Sequence, residues 1–339
     1  MNKERIFYLD FIRAIATLTI ILTHYNALFI YNTYTIRTDA MIFSAWFSNV
    51  YIGSIGVGLF LIISGAALLY QEESKTGIFR FYKKRLLSIY PMYWIAYILA
   101  FFYMFYAAKT IIWNVPKANI IYSVLGIDMY VANFGIPTFA IVGEWFIGLI
   151  LMLYLIFPIL KKGVLNKPIL TVILVIIAYI ISIHTTNLSV GLFEWLPIFV
   201  LGMIFLKYIN RMPWYAAGIA ALIIVINSKL DMTINPNITR LYIVVAVFCI
   251  LVYIAKYVER FTIVRKICTV ICKYSYPCFL VHHFIIYRIC ETFDLNNISR
   301  GKSFILLCFC CLIIFWGSVI LDKIHNKIMT FINSDNANI

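Results

Sequence analysis

The stretch Phe43–Tyr70, FSAWFSNVYIGSIGVGLFLIISGAALLY, runs for 28 residues without one Asp, Glu, Lys or Arg. A bilayer core of about 30 Å needs about 20 consecutive apolar residues in helical form. Charge resumes on both sides, at Asp39 before the stretch and at Glu72 and Glu73 after it, so it predicts a membrane span. Working outward, the same pattern recurs at Phe7–Ile30, Ile89–Ala108, Val142–Leu160, Ile169–His184, Val190–Lys207, Pro213–Asn227, Ile238–Ala255, Tyr276–Glu291 and Phe304–Leu321, ten spans in all. Of the 339 residues, 63% are hydrophobic and only 12% are charged. A soluble domain carries about 25% charge, so an ordinary soluble enzyme, a disordered chain and a nucleic-acid-binding domain are excluded. The fold class is an all-α polytopic membrane protein of about ten transmembrane helices, with residues 1–339 forming a single membrane domain. The stretch Lys109–Ile141 has room for a short or re-entrant helix.

The composition also leaves a net charge of +14, from 28 Lys and Arg against 14 Asp and Glu. Cytoplasmic segments of membrane proteins are enriched in Lys and Arg. With the N-terminus inside, nineteen basic residues fall on inner segments and eight on outer ones, which predicts that both termini are cytoplasmic. The first span is longer than a signal-peptide h-region and contains Arg13 and His24, so it is expected to remain in the protein. The eight cysteines lie between Cys249 and Cys311, mostly inside the apolar stretches, and read as helix-packing residues. No metal-ligand spacing is present, and no metal is expected.

An ionisable residue inside a span is costly and is a functional candidate by default. Span one carries Asp10, Arg13 and His24. Eleven residues at 100° each bring Arg13 and His24 to within about 20° of one face, about 16 Å apart along the axis. Asp10, one turn before Arg13, can neutralise it. Glu144 opens the fourth span from the outer side at a depth like that of His24, where a carboxylate can orient an imidazole base. It can equally be a solvated helix start, and Glu194 is a rival for the same role. His282 lies about two turns into the ninth span, either in a site or as a satisfied interior histidine; His283 reads as structural. The inner segment Phe79–Arg85 carries Arg80, Lys83, Lys84 and Arg85. Such a cluster suits anionic lipid headgroups or a phosphate-rich ligand. Gly56, Gly58, Ser64 and Gly65 line the second span with small residues, allowing close helix packing or room for a slender ligand.

Taken in order, these motifs resemble the acyltransferase-3 family of integral membrane acyltransferases. The series begins with Leu9-Asp10-x-x-Arg13 and the Arg-x10-His spacing to His24. It continues with Gly56-Val57-Gly58-Leu59-Phe60 to Ser64-Gly65, the basic segment ending Lys84-Arg85, and Tyr90-Pro91. Glu144-Trp145-Phe146 through Phe157-Pro158 and Leu196-Pro197 through Leu201-Gly202 follow. Tyr274-Ser275-Tyr276-Pro277 to His282-His283 closes it. The motifs cover residues 9–283, and the stretch 301–339 supplies the tenth helix and a cytoplasmic tail. One departure is Ser88, where many members have a second Arg.

The resemblance implies transfer of an acyl group, most often acetyl, from cytoplasmic acyl-CoA to a hydroxyl of a cell-surface or lipid-linked carbohydrate. It implies a bacterial cytoplasmic membrane, with Arg13 and His24 as the functional pair and Arg85 in the basic segment. Geometry and resemblance together give a specific expectation. His24 acts as base, or as an acyl-carrying nucleophile, Glu144 orients it, and Arg13 holds the donor or stabilises developing charge. Asp10 and His282 support them. Arg80, Lys83, Lys84, Arg85 and Ser64 hold acetyl-CoA or another acyl-CoA. The partners are then acyl-CoA, the carbohydrate acceptor and membrane lipids, with no nucleic acid. The competing reading is a transporter or flippase for a lipid-linked sugar or small molecule, with Arg13, His24 and Glu144 forming a proton or substrate pathway. No esterase-like domain is expected after the tenth helix.

Overall fold

The computed structural model describes residues 5–71, 77–106, 115–142, 144–185, 191–230 and 234–336. It is all-α apart from one two-residue hairpin. The long helices are α1 (Phe7–Tyr31), α2 (Ile52–Gln71) and α3 (Ile78–Tyr106), followed by the short α4 (Ile120–Leu125) and α5 (Asp128–Ala132). Then come α6 (Glu144–Asn166), α7 (Pro168–His184), α8 (Leu192–Ile204), α9 (Trp214–Lys229), α10 (Pro236–Val258), α11 (Thr262–Cys290) and α12 (Arg300–Asn336). Each of the ten stretches expected to span the membrane lies largely on one helix. Among the described residues, seven helices are long and apolar enough to cross a bilayer, while α7 and α9 are apolar but shorter.

Three helices start earlier or end later than the apolar pattern suggests. The basic segment before Ile89 is not a loop, because α3 begins at Ile78 and includes it. Lys and Arg are good helix formers, and polarity marks where a span leaves lipid rather than where a helix stops. By the same logic α11 begins fourteen residues before Tyr276, and α12 continues past Leu321 to Asn336. Pro91, Pro158, Pro197 and Pro277 all sit inside helices. Proline is tolerated inside membrane helices, where neighbouring groups satisfy the freed carbonyls.

The opposite correction applies to Phe43–Tyr51, the first part of the decisive stretch, which is not helical. Trp46–Phe47 (β1) pairs antiparallel with Val50–Tyr51 (β2) across a Ser48–Asn49 turn with φ of 48° and 60°. Two positive-φ residues are the signature of a two-residue hairpin turn, and Asn accepts that conformation. Side chains lock it in place: Ser48 Oγ donates to the Ile224 carbonyl (2.9 Å) and Asn49 Nδ2 to the Asn227 carbonyl (2.8 Å). Asn227 Nδ2 returns a bond to the Ser48 carbonyl (2.6 Å), and Tyr242 donates its hydroxyl hydrogen to Asn227 Oδ1.

The chain divides into two compact units. The first comprises Met1–Thr76, Ile156–Lys273 and Asn296–Ser303. In it α2 packs against α1 and α8, and α10 against α1, α2 and α9. The glycines of α2 are what allow this. A methyl group built on Gly65 would lie 2.1 Å from the Phe199 carbonyl oxygen, and one on Gly202 would lie 1.9 Å from the Ile62 carbonyl oxygen. The α2 and α8 backbones therefore touch reciprocally. Gly58 and Gly56 are similarly filled by Val244 and Ile20. Close packing, and not space for a slender ligand, explains these small residues.

The second unit comprises Gly77–Leu155, Tyr274–Leu295 and Phe304–Ile339. Its distinguishing feature is the segment 115–142, which folds back along α3. Tyr90, Tyr93, Trp94 and Tyr97 lie on successive turns of α3. They donate to the carbonyls of Leu125 (2.9 Å), Ser123, Val124 (2.9 Å) and Phe139 (2.8 Å), respectively. Trp94 is twelve residues from the end of α3, so the returning chain penetrates about 18 Å back along that helix. The described part of the stretch Lys109–Ile141 thus holds the short helices α4 and α5. Gly126, at φ 68°, makes the turn between α4 and α5 against Ile147.

Candidate active site

In the first unit the candidate residues Asp10, Arg13 and His24 all belong to α1. Asp10 does not neutralise Arg13. Its carboxylate instead accepts from Arg5 Nε (2.8 Å) and Nη2 (2.7 Å), at the start of the helix. The Asp10 carbonyl accepts the Cys272 thiol at 3.1 Å, which ties α1 to the first half of α11. Among the described residues Arg13 makes no ion pair, so its guanidinium is a cation held in the helix without a carboxylate of its own. A cation in that condition favours an anionic ligand.

His24 lies half-buried on α1, three turns beyond Arg13. The two residues that follow fix its orientation. Tyr25, fully buried, hydrogen-bonds the Ser303 carbonyl (2.7 Å) and hydroxyl (2.9 Å). Asn26, 1% exposed, closes a two-way bond with Ile42, donating to its carbonyl (2.7 Å) and accepting from its amide (3.0 Å). These bonds pin the rotation of α1 at the level of His24, and an imidazole base needs such a fixed direction. The spacing argument passes over Tyr25 and Asn26. Their signal in the sequence is three polar side chains in succession inside an apolar helix.

Ser64 of α2 is half-exposed, next to the Gly65 contact. Glu194, the rival to Glu144, has a different partner: its carboxylate accepts from Arg240 Nη2 at 3.0 Å, and the guanidinium lies 4.2 Å over the Trp195 ring. This pair fastens the start of α8 to α10.

The second unit holds Arg80, Lys83, Lys84, Arg85, Glu144 and His282. Because the basic segment is helical, it is divided by face. Arg80, Lys83 and Lys84 fall within about 100° of one another and are exposed, whereas Arg85 points about 100–160° away from them. Arg85 is only 9% exposed, with its guanidinium 5.7 Å from the Phe81 ring centre and 5.9 Å from that of Tyr154. A guanidinium between two aromatic faces keeps its charge in low dielectric and stays oriented. Tyr276 closes the same region by donating to the Ile89 carbonyl (2.8 Å).

Glu144 is the first residue of α6; its side chain lies outside the described residues. The Phe146 ring packs on Phe279 at 5.0 Å. His282 is 2% exposed, and its Nδ1 faces the carbonyls of Phe279 (2.7 Å) and Cys278 (3.2 Å). Nδ1 must then carry the proton of the neutral ring, which leaves the lone pair on Nε2. His283 stacks on Tyr287 at 4.4 Å, in keeping with a packing role.

The chain as a whole matches the model of the acyltransferase-3 family, described as an acyltransferase domain, over residues 6–323. It is also similar to the acyltransferase MdmB of Streptomyces mycarofaciens, with 26% identity over 125 residues, 35% of this chain. The matched part spans 31% of that relative's length. No solved structure matches it.

Proposed function

This chain belongs to the acyltransferase-3 family, and from that premise we propose that it moves an acetyl group from cytoplasmic acetyl-CoA to a hydroxyl of a surface or lipid-linked carbohydrate. Membership makes it a membrane acyltransferase; the donor, the acceptor and the direction across the bilayer are our reading. It is supported by the line on α1, where an arginine that makes no ion pair among the described residues and an imidazole share one face about 16 Å apart. An elongated donor, anionic at one end and reactive at the other, suits a cation and a base set that far apart. Inner positively charged segments and cytoplasmic termini are part of the same proposal.

In this scheme Arg85 grips a phosphate of the donor, assisted by the exposed Arg80, Lys83 and Lys84, and Ser64 borders the path of the slender arm. His24 takes the proton of the acceptor hydroxyl as its oxygen attacks the thioester carbonyl. The carbon–sulfur bond breaks, the new ester forms, and the imidazolium returns its proton to the departing CoA thiolate. In this proposal Glu144 is the carboxylate that stabilises the imidazolium, Arg13 stabilises the charge on the reacting carbonyl, and His282 is a supporting residue. The exchange needs no metal.

The test is His24→Ala in cells, with surface glycans read by mass spectrometry. We expect acetyl esters to vanish while the protein still accumulates in the membrane fraction. Normal acetylation by that variant would refute the assignment of His24. Glycans unchanged by deletion of the whole gene would refute the acceptor class.

A further inference from the structure

Within the first unit, a cavity of about 650 Å³ opens between the start of α1, the connection from α8 to α9 and the end of α10. Its charged lining consists of Arg5, Arg211 and Lys256 against a single acid, Glu259. We propose that this cavity binds the headgroup of an anionic phospholipid.

Three observations carry the assignment. The first is charge without internal compensation. Among the described residues Arg211 and Lys256 make no ion pair, and Arg5 is engaged by Asp10 through Nε and Nη2 only. Three cations from three separate elements, converging on one hollow, are matched by a phosphodiester. The second is the Tyr8 hydroxyl. Tyr8 lines the cavity, and its hydroxyl is buried with no hydrogen-bond partner among the described residues. A buried donor without an acceptor is costly, and a phosphate oxygen would satisfy it. The third is depth. Immediately after Pro213 in the cavity wall come Trp214 and Tyr215, 73% and 57% exposed. Exposed Trp and Tyr beside cations mark the headgroup level of a membrane protein. Apart from Asn210 the remaining wall, including Phe7 and Val252, is apolar and suits the glycerol and upper acyl region of a lipid better than a freely soluble anion.

The cavity is separate from the acyl-transfer line. Around α1, at 100° per residue, Arg13 lies about 140° and His24 about 160° from Tyr8. The lipid thus sits behind α1, with its headgroup in the cytoplasmic leaflet on the orientation proposed above.

Full-length protein in a neutral detergent is titrated with dioleoyl phosphatidylglycerol and, separately, with dioleoyl phosphatidylcholine, and bound lipid is counted by native mass spectrometry. The wild type should retain phosphatidylglycerol at least about tenfold more tightly than phosphatidylcholine. R211A/K256A should weaken phosphatidylglycerol binding about thirtyfold, as two near-surface cations predict. The charge-keeping R211K/K256R should stay within about threefold of wild type. Tyr8→Phe, which alters only the hydroxyl, should weaken binding about fivefold. Equal retention of the two lipids, or unchanged phosphatidylglycerol binding by R211A/K256A, overturns the proposal. So does competition at this site by inorganic phosphate or free CoA in the absence of any preference for the anionic lipid, which would mark a soluble phosphate ligand. The readout is bound lipid and not ester formation, so its failure is distinguishable from failure of the acyltransferase scheme.

Discussion

Replacing Gly202 by alanine should be among the most damaging single-methyl additions available in this protein. The new Cβ would stand 1.9 Å from the Ile62 oxygen and 2.7 Å from the Ile62 carbon, both backbone atoms that cannot rotate away. Ordinary contact begins at about 3.4 Å, so α2 and α8 must separate locally by about 1.5 Å. A gap of 0.5–1 Å already forfeits about a quarter to a half of a dispersion contact. The loss extends along the paired faces around Ile62 and Phe199, both fully buried. Overpacking of this kind costs about 1–3 kcal/mol, and the upper end is expected here because backbone must move. Gly218 of α9 and Gly301 of α12 supply the control, since nothing lies within 4 Å of a methyl built on either. There alanine should stabilise the helix by about 0.5–1 kcal/mol. Thermal unfolding of the purified protein in detergent, followed by tryptophan fluorescence, should place Gly202→Ala well below wild type and Gly218→Ala at or above it. If Gly202→Ala unfolds no earlier than Gly218→Ala, the reciprocal backbone contact does not hold this unit together.

Three further outcomes are expected. Asn26→Ala leaves the buried Ile42 amide and carbonyl unsatisfied, at about 1–3 kcal/mol, and frees α1 to rotate near His24. Acyl transfer should show a lower kcat with donor KM little changed, and an equal loss in both would assign Asn26 to donor binding instead. Arg85→Lys keeps the charge but loses the planar stack between Phe81 and Tyr154, so donor KM should rise about tenfold. Arg80→Lys should leave KM near wild type, and equal effects would argue against the division of faces on α3. For the Glu194–Arg240 pair, the side chains are 16% and 15% exposed, so a double-mutant cycle with Glu194→Gln and Arg240→Gln should give a coupling of about 1–2 kcal/mol in thermal stability. A coupling near zero would mean the pair does not fasten α8 to α10.

The helical stretches were legible because hydrophobic length is a local property. The decisive run at Phe43–Tyr70 does contain a membrane helix, and its apolar character misleads only at its first nine residues. There Ser48 and Asn49 turn the chain, and apolar aromatic residues continue into a hairpin. Helix ends were less legible, because α3, α11 and α12 extend through polar residues that mark the bilayer boundary but do not break a helix. At the site, the common face of Arg13 and His24 follows from helical arithmetic. That Asp10 turns to Arg5, and that Glu194 turns to Arg240, depends on side-chain reach and on a neighbour distant in sequence.

Sequence by itself determined that this is a helical membrane protein, that ionisable residues within its spans are the candidates for function, and that its ordered motifs resemble one family of acyltransferases. Each of these depends on residue type and on separations along a single helix. Only the tertiary structure decided which of four neighbouring cations is buried, because a helix sends Arg85 one way and Arg80, Lys83 and Lys84 another, and only packing shows which way is inward. Only it showed that the space beside the α2 glycines is filled, at Gly65 by the α8 backbone and at Gly56 and Gly58 by the Ile20 and Val244 side chains, and that residues 115–142 return along α3. Those facts depend on what lies opposite a residue, and a linear pattern carries no record of its opposite face.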